Sequence, residues 1–297
     1  MTPVVSVIIV AYNSEPDLQE LLPRLDDPRV EVIVIDNDST DRSWEVVSAN
    51  PHCLGIEMGR NAGWTEACNV GAARAKTPAL AFVNPDVRVS PDDLVRLAGE
   101  LGPGIGTVNP SFVGPDGEAS PFAFRFPTPL MGLFVFFNGG QRLDRWLGSP
   151  FLRRRTYDQG RQLTSEVESF GAACMVVDAR VFEQVGFFDE TMWLFFSDTD
   201  WFLRARRTGL RHVRAGDVTA THEGGGSVKQ MPPGALMESF QRDYIRYARR
   251  HYDAWGLVLT LTGLFVFSGV LPAGASLLRG KPQAAWECLV RVRSVLR

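Results

Sequence analysis

Short apolar runs alternate with helix-starting signals along the first hundred residues. Val4 to Val10 is rich in β-branched residues and suits a strand buried on both faces. Ser14 reads as a helix N-cap with Pro16 in the first turn, opening a helix towards Leu25. Val30 to Ile35 predicts a second buried strand ending on Asp36-Asn37-Asp38, with Ser39 or Thr40 to cap the next helix. Leu54 to Met58 is a weaker, edge-like strand, and Trp64 to Lys76 is Ala-rich and helical. Ala79 to Val83 is a fourth strand ending on Asn84-Pro85-Asp86; Ser90-Pro91 starts a helix through Leu101, and Gly104 to Val108 adds a strand. The βαβ spacing predicts an α/β fold, a mostly parallel sheet with helices on its faces. Ligands of such sheets bind beyond the carboxyl ends of the strands, where both acidic tips lie. Asp and Asn are also simply good turn residues, so one tip alone would carry little weight.

The rhythm breaks from Pro110 to Glu166, a stretch rich in Pro, Gly and Phe (Phe122, Phe124, Phe126, Phe134, Phe136, Phe137) that carries Arg153-Arg154-Arg155. A stretch this long without periodicity is usually functional or mobile. Phe170 to Val177 then reads as a strand, Asp178 to Val185 as a helix, Ser197 to Thr208 as a helix with Asp198 near its start, and Leu210 to Val213 as a strand. His222-Glu223-Gly224-Gly225-Gly226 follows, a run that could be a linker or a set of phosphate-facing N–H groups. Arg204, Arg206 and Arg207 read as solvated helix surface. Ala254 to Leu278 has no charge over 25 residues, enough to span a bilayer, but Gly256, Gly263, Gly269, Pro272 and Gly274 interrupt it. It reads either as a buried helix pair or as a membrane-embedded or interfacial hairpin bending near Pro272.

Composition narrows the class. The 297 residues are 45% hydrophobic and 22% charged, with a net charge of -3, so disorder and nucleic-acid binding are both disfavoured. The charge is divided: nine Lys/Arg face three Asp/Glu from Gln241 onward, and 22 face 31 before it. Cys53, Cys68, Cys174 and Cys288 lack metal or redox spacing, which fits a reducing cytosol. The apolar N-terminus has no basic region before it and reads as a buried strand, not a cleaved signal.

Asp86 at a strand tip is a hard oxygen ligand for Mg²⁺ or Mn²⁺, ions that bridge diphosphates. Asp36 at a neighbouring tip can accept a hydrogen bond from a base or ribose. No G-x-G-x-x-G or phosphate loop is present, so a metal-held nucleotide diphosphate is the natural ligand left. Asp198 at a helix start suits a rigidly held general base, and equally a carboxylate favoured by the helix dipole.

At these residues the chain resembles a family. Val5 to Ser14, Val34 to Asp41, Arg60-Asn61-Ala62-Gly63, Asn84-Pro85-Asp86, Gly171 to Met175, Val185 to Asp189, Phe196 to Asp200 and His222 to Ser227 occur in the order of a family-2, GT-A-fold glycosyltransferase. The chain closely resembles the rhamnosyltransferase-like branch, which builds bacterial cell-surface glycans. The resemblance covers residues 4 to 230. It implies a GT-A fold, a single Rossmann-like sheet flanked by helices, over residues 1–240, with 110–166 an irregular acceptor-side insert. Residues 241–297 lie outside it as a basic and apolar helical appendage.

Carried over, the resemblance places Ala11, Tyr12 and Asn13 along the nucleotide pocket and has Asp36 read the pyrimidine. Asn61 and Gly63 approach the ribose and diphosphate, Asn84 and Asp86 form the metal motif, and His222 completes it. Asp198 becomes the base that deprotonates an acceptor hydroxyl, with inversion at the sugar. The implied partners are a nucleotide-diphosphate sugar (dTDP-rhamnose first), a glycan or lipid-linked glycan acceptor, Mg²⁺ or Mn²⁺, and a membrane surface on its cytoplasmic face. Two positions depart from the family: Asn84 replaces the first Asp of D-x-D, and Ser197 stands where Glu usually precedes the base. Both keep open a catalytically silent relative that binds nucleotide sugar or scaffolds a membrane assembly. If the C-terminal segment is what meets a membrane, a chain ending at Tyr252 is expected to be freely soluble.

Overall fold

The β-branched run at the N-terminus becomes the most enclosed strand of a mixed sheet. In a computed structural model, which describes residues 2–120, 123–135, 163–224 and 230–296, β1 (Val5–Ala11) is buried at every position. It needs apolar residues on both faces because it lies between two parallel neighbours. On one side it pairs with β2 (Val30–Asp36), which pairs in turn with β3 (Cys53–Glu57) at the edge. On the other it pairs with β4 (Ala79–Val83). The order β3-β2-β1-β4 reverses direction at β1, the switch point at which open α/β sheets form a crevice.

Beyond β4 the sheet turns mixed. β5 (Val87–Arg88) is a two-residue strand, β6 (Ile105–Val113) is long, and β7 (Ala119–Ser120) folds back on β6. β8 (Ala123–Phe124) and β10 (Ser169–Phe170) form a separate pair. β9 (Ser165–Val167) lies along β12 (Arg211–His222), and β11 (Cys174–Asp178) runs antiparallel between β4 and β6. β12 lies parallel to β6, and its end pairs with β5. A core of Val7, Ile9, Leu18, Leu21, Val34 and Val176, among others, joins the sheet to its helices.

Several sequence expectations need correction. Ser14 turns its hydroxyl back to the Tyr12 carbonyl (3.2 Å) and makes no cap; the first N–H of helix Glu15–Arg24 goes to Asp41 (3.1 Å). Ser90 does cap its helix, accepting from the Asp93 N–H at 3.1 Å. The Phe170 to Val177 strand is broken at residues 171–173: the Ala172 N–H turns to Asp198, while the Ala173 carbonyl accepts the Asn84 N–H just beyond β4. β6 continues to Val113, so the first residues assigned to an irregular insert are strand. Phe122, Phe136, Phe137, Arg153 to Arg155 and Gly225 to Ser227 lie outside the described residues.

The chain divides into two units. The first comprises Met1–Phe124, Asp158–Trp193 and Ser197–Met231, and holds the sheet. The second comprises Arg125–Tyr157, Leu194–Phe196 and Pro232–Arg297. Residue 241, the start of the appendage expected from sequence, falls inside helix Pro233–His251. In the second unit Asp243 accepts the N–H groups of Leu194 and Phe195, both at 3.0 Å, and Tyr244, Ile245, Leu264, Val292 and Val295 form its core.

The expected bend at Pro272 is absent. Residues Ala254–Leu278 form one helix whose middle, Leu264–Val270, has π-type hydrogen bonding just before the proline. A wider turn there lets the helix pass a residue that has no N–H and would clash with a regular preceding turn. The chain reverses instead at Gly280, with φ +70, a left-handed conformation that glycine adopts without a Cβ penalty. Helix Pro282–Val295 then returns along the first.

Candidate active site

The site is built on the first unit. At the tip of β1, Ala11 is buried and Tyr12 partly so. Asn13 has φ +49, and its side-chain oxygen accepts from the Thr40 N–H (2.7 Å) and hydroxyl (3.2 Å). Its own N–H donates to Ser39 Oγ at 3.0 Å, and its carbonyl accepts from Gln230 Nε2 at 2.9 Å. Asn13 therefore holds the 39–41 loop against the tip of β1. The same loop accounts for half of Asp36: Oδ2 accepts the Ser39 N–H at 3.1 Å. The other oxygen, Oδ1, is buried without a partner, an acceptor that a base N–H would satisfy.

Asn37, next to Asp36, links the second tip of the crevice. Its Oδ1 accepts the Ala62 N–H (2.8 Å), and its Nδ2 donates to Asn61 Oδ1 (3.0 Å), which also accepts the Gly63 N–H (3.1 Å). Gly63 opens helix Gly63–Ala72 with φ +85, and a Cβ there would lie 2.4 Å from the Trp193 ring and carbonyl. Only glycine meets both demands. Asn37 was legible only as part of an acidic tip; its bridging role depends on a loop 24 residues away.

The Asp86 tip is closed by distant residues. β5 follows Asp86 directly and pairs antiparallel with the end of β12, His222 opposite Val87. That pairing sets His222 Nε2 3.3 Å from Asp86 Oδ1, with both side chains buried. The Glu223 N–H donates to the Asp86 carbonyl at 3.3 Å. Arg88, not anticipated from sequence, donates to the Pro85 carbonyl (3.0 Å) and pairs with Glu20 (2.9 Å) and Asp17 (3.4 Å). Burial raises the Asp17 pKa and Arg88 partly opposes it. Among the described residues no group of three or more His, Cys, Asp or Glu gathers as a metal site.

Asp198 lies in the first turn of helix Ser197–Arg207, partly exposed. Its Oδ2 accepts the Ala172 N–H (3.1 Å), and its Oδ1 accepts the Thr199 N–H (2.6 Å) and hydroxyl (3.2 Å). Burial raises its pKa above the usual carboxylate value, and those hydrogen bonds hold the rise back. Ala173, the next residue along, accepts the Asn84 N–H at 2.9 Å. The break between β10 and β11 thus ties Asp198 to the Asn84-Pro85-Asp86 tip through two adjacent residues.

Ser197 is buried, its Oγ 3.0 Å from Thr65 Oγ1. One turn on, the Cys68 thiol is pushed well up by burial and further by the charge of Asp198. Asn69 clamps Phe188 through its N–H (3.1 Å) and carbonyl (2.9 Å), and reaches Glu190 at 2.9 Å. Residues 65, 68 and 69 lie on one helix face, so that face forms a platform for the segment leading to Asp198. Asp200 points away, as two residues of separation on a helix requires: it pairs with Arg204 at 2.8 Å. Arg204 also donates to the carbonyls of Val185 (2.6 Å) and Phe187 (2.8 Å), so it is a largely buried brace and not solvated surface.

A parallel half-sheet with a switch-point crevice, continued by antiparallel strands and flanked by helices, is the GT-A architecture. Solved structures agree. The mannosyltransferase PcManGT of Pyrobaculum calidifontis, in complex with GDP-Man and Mn²⁺, aligns over 100% of this chain and 86% of its own, with TM-score 0.53 and 18% identity. TarS 1-349 of S. aureus, in complex with UDP-GlcNAc, aligns over 98% and 92%, with TM-score 0.53 and 15% identity. The chain belongs to glycosyl transferase family 2, which matches residues 6–186. Over 95% of its length and 96% of the relative's, it is 28% identical to an N-acetylglucosaminyl-diphospho-decaprenol L-rhamnosyltransferase of Mycobacterium tuberculosis. It is 26% identical to the low-salt glycan biosynthesis hexosyltransferase Agl10 of Haloferax volcanii, over 73% of this chain and 66% of that one. The protein is a family-2, rhamnosyltransferase-like glycosyltransferase.

Proposed function

We propose that the enzyme moves rhamnose from dTDP-rhamnose to a hydroxyl of a lipid-linked glycan on the cytoplasmic face of a membrane, inverting the anomeric centre. The rhamnose and the lipid-linked acceptor follow the mycobacterial relative's name and its nearly full mutual coverage, and the dTDP carrier follows the family resemblance of the sequence. The observation that carries the mechanism is the tie between base and donor tip: Ala172 N–H on Asp198, Ala173 carbonyl on the Asn84 N–H.

In this reading the free Oδ1 of Asp36 accepts the pyrimidine N–H, beside Ala11, Tyr12 and Asn13. Asn61 and Gly63 face the ribose and diphosphate at the start of a helix, where N–H groups favour an anion. Asp198 takes the acceptor proton; a carboxylate suffices because the proton leaves late in the displacement.

The Asp86 carboxylate and the His222 imidazole form a mixed oxygen and nitrogen donor pair that suits Mn²⁺ better than Mg²⁺, which prefers oxygen. Asp86 and His222 would hold such an ion, with Asn84 nearby in the same turn. When bound, the ion offsets charge growing on the departing diphosphate. Ser197 in place of Glu is a built-in feature here: its hydroxyl bridges to Thr65, so its presence does not signal a decayed site.

The test is transfer from dTDP-rhamnose to a lipid-linked N-acetylglucosamine acceptor with and without Mn²⁺. Asp198→Asn is expected to bind donor normally and lose roughly 10²–10⁴ in kcat, the scale of general-base removal. Asp86→Ala is expected to lose Mn²⁺-dependent donor binding. A wild-type enzyme that binds nucleotide yet neither transfers nor hydrolyses any sugar donor would establish the silent, binding-only relative instead.

A further inference from the structure

The second unit presents an apolar surface that its own chain does not cover. Along helix Ala254–Leu278, Gly256, Thr260, Gly263, Leu264, Gly269 and Ala273 recur at helical spacing and are buried. Against them pack helices Pro129–Val135, Pro233–His251 and Pro282–Val295. The glycines permit the approach: a Cβ on Gly256 would lie 2.9 Å from Pro129 Cγ, and one on Gly269 3.1 Å from Val292. Yet only 28% of the most apolar stretch is buried. The opposite side carries Trp255 (77% exposed), Val258, Phe265, Leu271 and Leu277, and no charge. The returning helix adds Trp286 (68% exposed) and Leu289.

We propose that this face docks on a bilayer containing anionic phospholipid, with helix Ala254–Leu278 lying in the plane of the interface and not across the membrane. Three observations select that occupant and that orientation. First, the ends of the face are basic: Arg249 and Arg250 precede the helix, and exposed Arg279 and Lys281 form the reversal after it. Between residues 249 and 296 there are six Lys/Arg and two Asp/Glu, the sign that anionic headgroups attract. A second copy of the same face would oppose like charges.

Second, the covered side of the helix cannot enter hydrocarbon with it. Helix Pro282–Val295 runs back along residues 264–278 and carries Glu287, Arg291 and Arg293, all exposed. A spanning helix would draw these charges through the apolar layer, a heavy cost for each. An in-plane helix keeps them among headgroups and water. Third, Trp255 and Trp286 are the most amphipathic of the exposed apolar side chains, the type that settles at the boundary of lipid and water. The helix is long enough to cross, at 25 residues, and it is its packing that forbids crossing. This inference stands on the second unit alone and holds for any donor and acceptor.

The experiment is flotation of the full chain with phosphatidylcholine vesicles containing about one-third phosphatidylglycerol, a surface of the kind basic segments bind, against phosphatidylcholine alone. Wild type is expected to float with the anionic vesicles and to come off with added salt. Phe265→Glu and Leu271→Glu are each expected to weaken partitioning at least about tenfold, because each removes a buried apolar contact and adds a charge. Arg279→Glu with Lys281→Glu is expected to abolish the preference for anionic lipid. Thermal unfolding in lipid-free buffer checks that each variant is folded. Orientation is read on Lys281→Cys, with an impermeant maleimide added outside closed vesicles and the labelled peptide identified by mass. Labelling without detergent is expected; protection until detergent is added would show a span and overturn the in-plane arrangement. No flotation of wild type, or equal flotation with both vesicles, would overturn docking on anionic lipid. A soluble dimer that Phe265→Glu dissociates, without vesicle binding, would assign the face to a second copy.

Discussion

At Asp198 burial and hydrogen bonding pull in opposite directions. Removing a carboxylate from water favours its protonated form, while the N–H groups of Ala172 and Thr199 favour the charged one; burial prevails and the pKa is raised from 3.8. In the role proposed for it, Asp198 takes the acceptor proton only in its ionised form. Activity should therefore be lost as pH falls through the raised pKa, and kcat/KM should climb to a plateau above it. The expected profile has an acid limb with a midpoint above 3.8, absent from the residual rate of Asp198→Asn. A midpoint at or below that value would remove burial from the account. This carboxylate could be singled out from sequence because it opens a helix within a family-like pattern. Its environment could not, since Ala172 and Cys68 reach it from 26 and 130 residues away. Arg88 is the converse case: a lone arginine after an acidic tip carries no local signal, and its partners Asp17 and Glu20 lie on a separate helix.

Elements were legible in proportion to how much of their stability is local. β1, β2 and β4 are buried on both faces, and their apolar runs mark them almost to the residue. β12 was expected only from Leu210 to Val213, because Arg214, Gly216 and Asp217 interrupt its apolar pattern. It persists to His222 by pairing with β6, β9 and β5 across two register shifts, and none of those partners is close in sequence. That hidden length is why Asp86 and His222 could be proposed together only by resemblance. Helix Gly63–Ala72 makes a further case, since its Thr65 has no motif yet bridges to Ser197 beside Asp198. Removing the hydroxyl in Thr65→Val should cost about 1 kcal/mol of alignment, roughly a fivefold fall in kcat, with donor KM unchanged. Thr65→Ser, which keeps the hydroxyl, should recover most of the rate. An equal loss in both variants would show that packing, not the bridge, holds Asp198 in place.

The net charge of -3 conceals an uneven division: 22 Lys/Arg stand against 31 Asp/Glu before Gln241, and nine against three from it onward. The carboxylates proposed to meet an ion and a nucleotide diphosphate belong to the acidic part, and basic residues flank the apolar helix Ala254–Leu278 in the other. From sequence the natural cut between them ends the chain at Tyr252, just before the charge-free run. The packing argues against that cut. Tyr244 and Ile245, on the helix such a chain would keep, are about 1% exposed and rest on Leu264, Val292 and Val295, which it would lose. Uncovering two large side chains costs roughly 2 kcal/mol each and leaves a sticky surface on a charged helix. The expected result is that the chain 1–252 self-associates and melts at lower temperature, whereas full-length Leu271→Glu, altered only on the exposed side of its helix, stays monodisperse. Size-exclusion chromatography with light scattering separates the two. A chain 1–252 that ran as a monomer with unchanged melting would mean that helix Pro233–His251 does not depend on the hairpin, and that the second unit's core is not what Tyr244 and Ile245 are buried for.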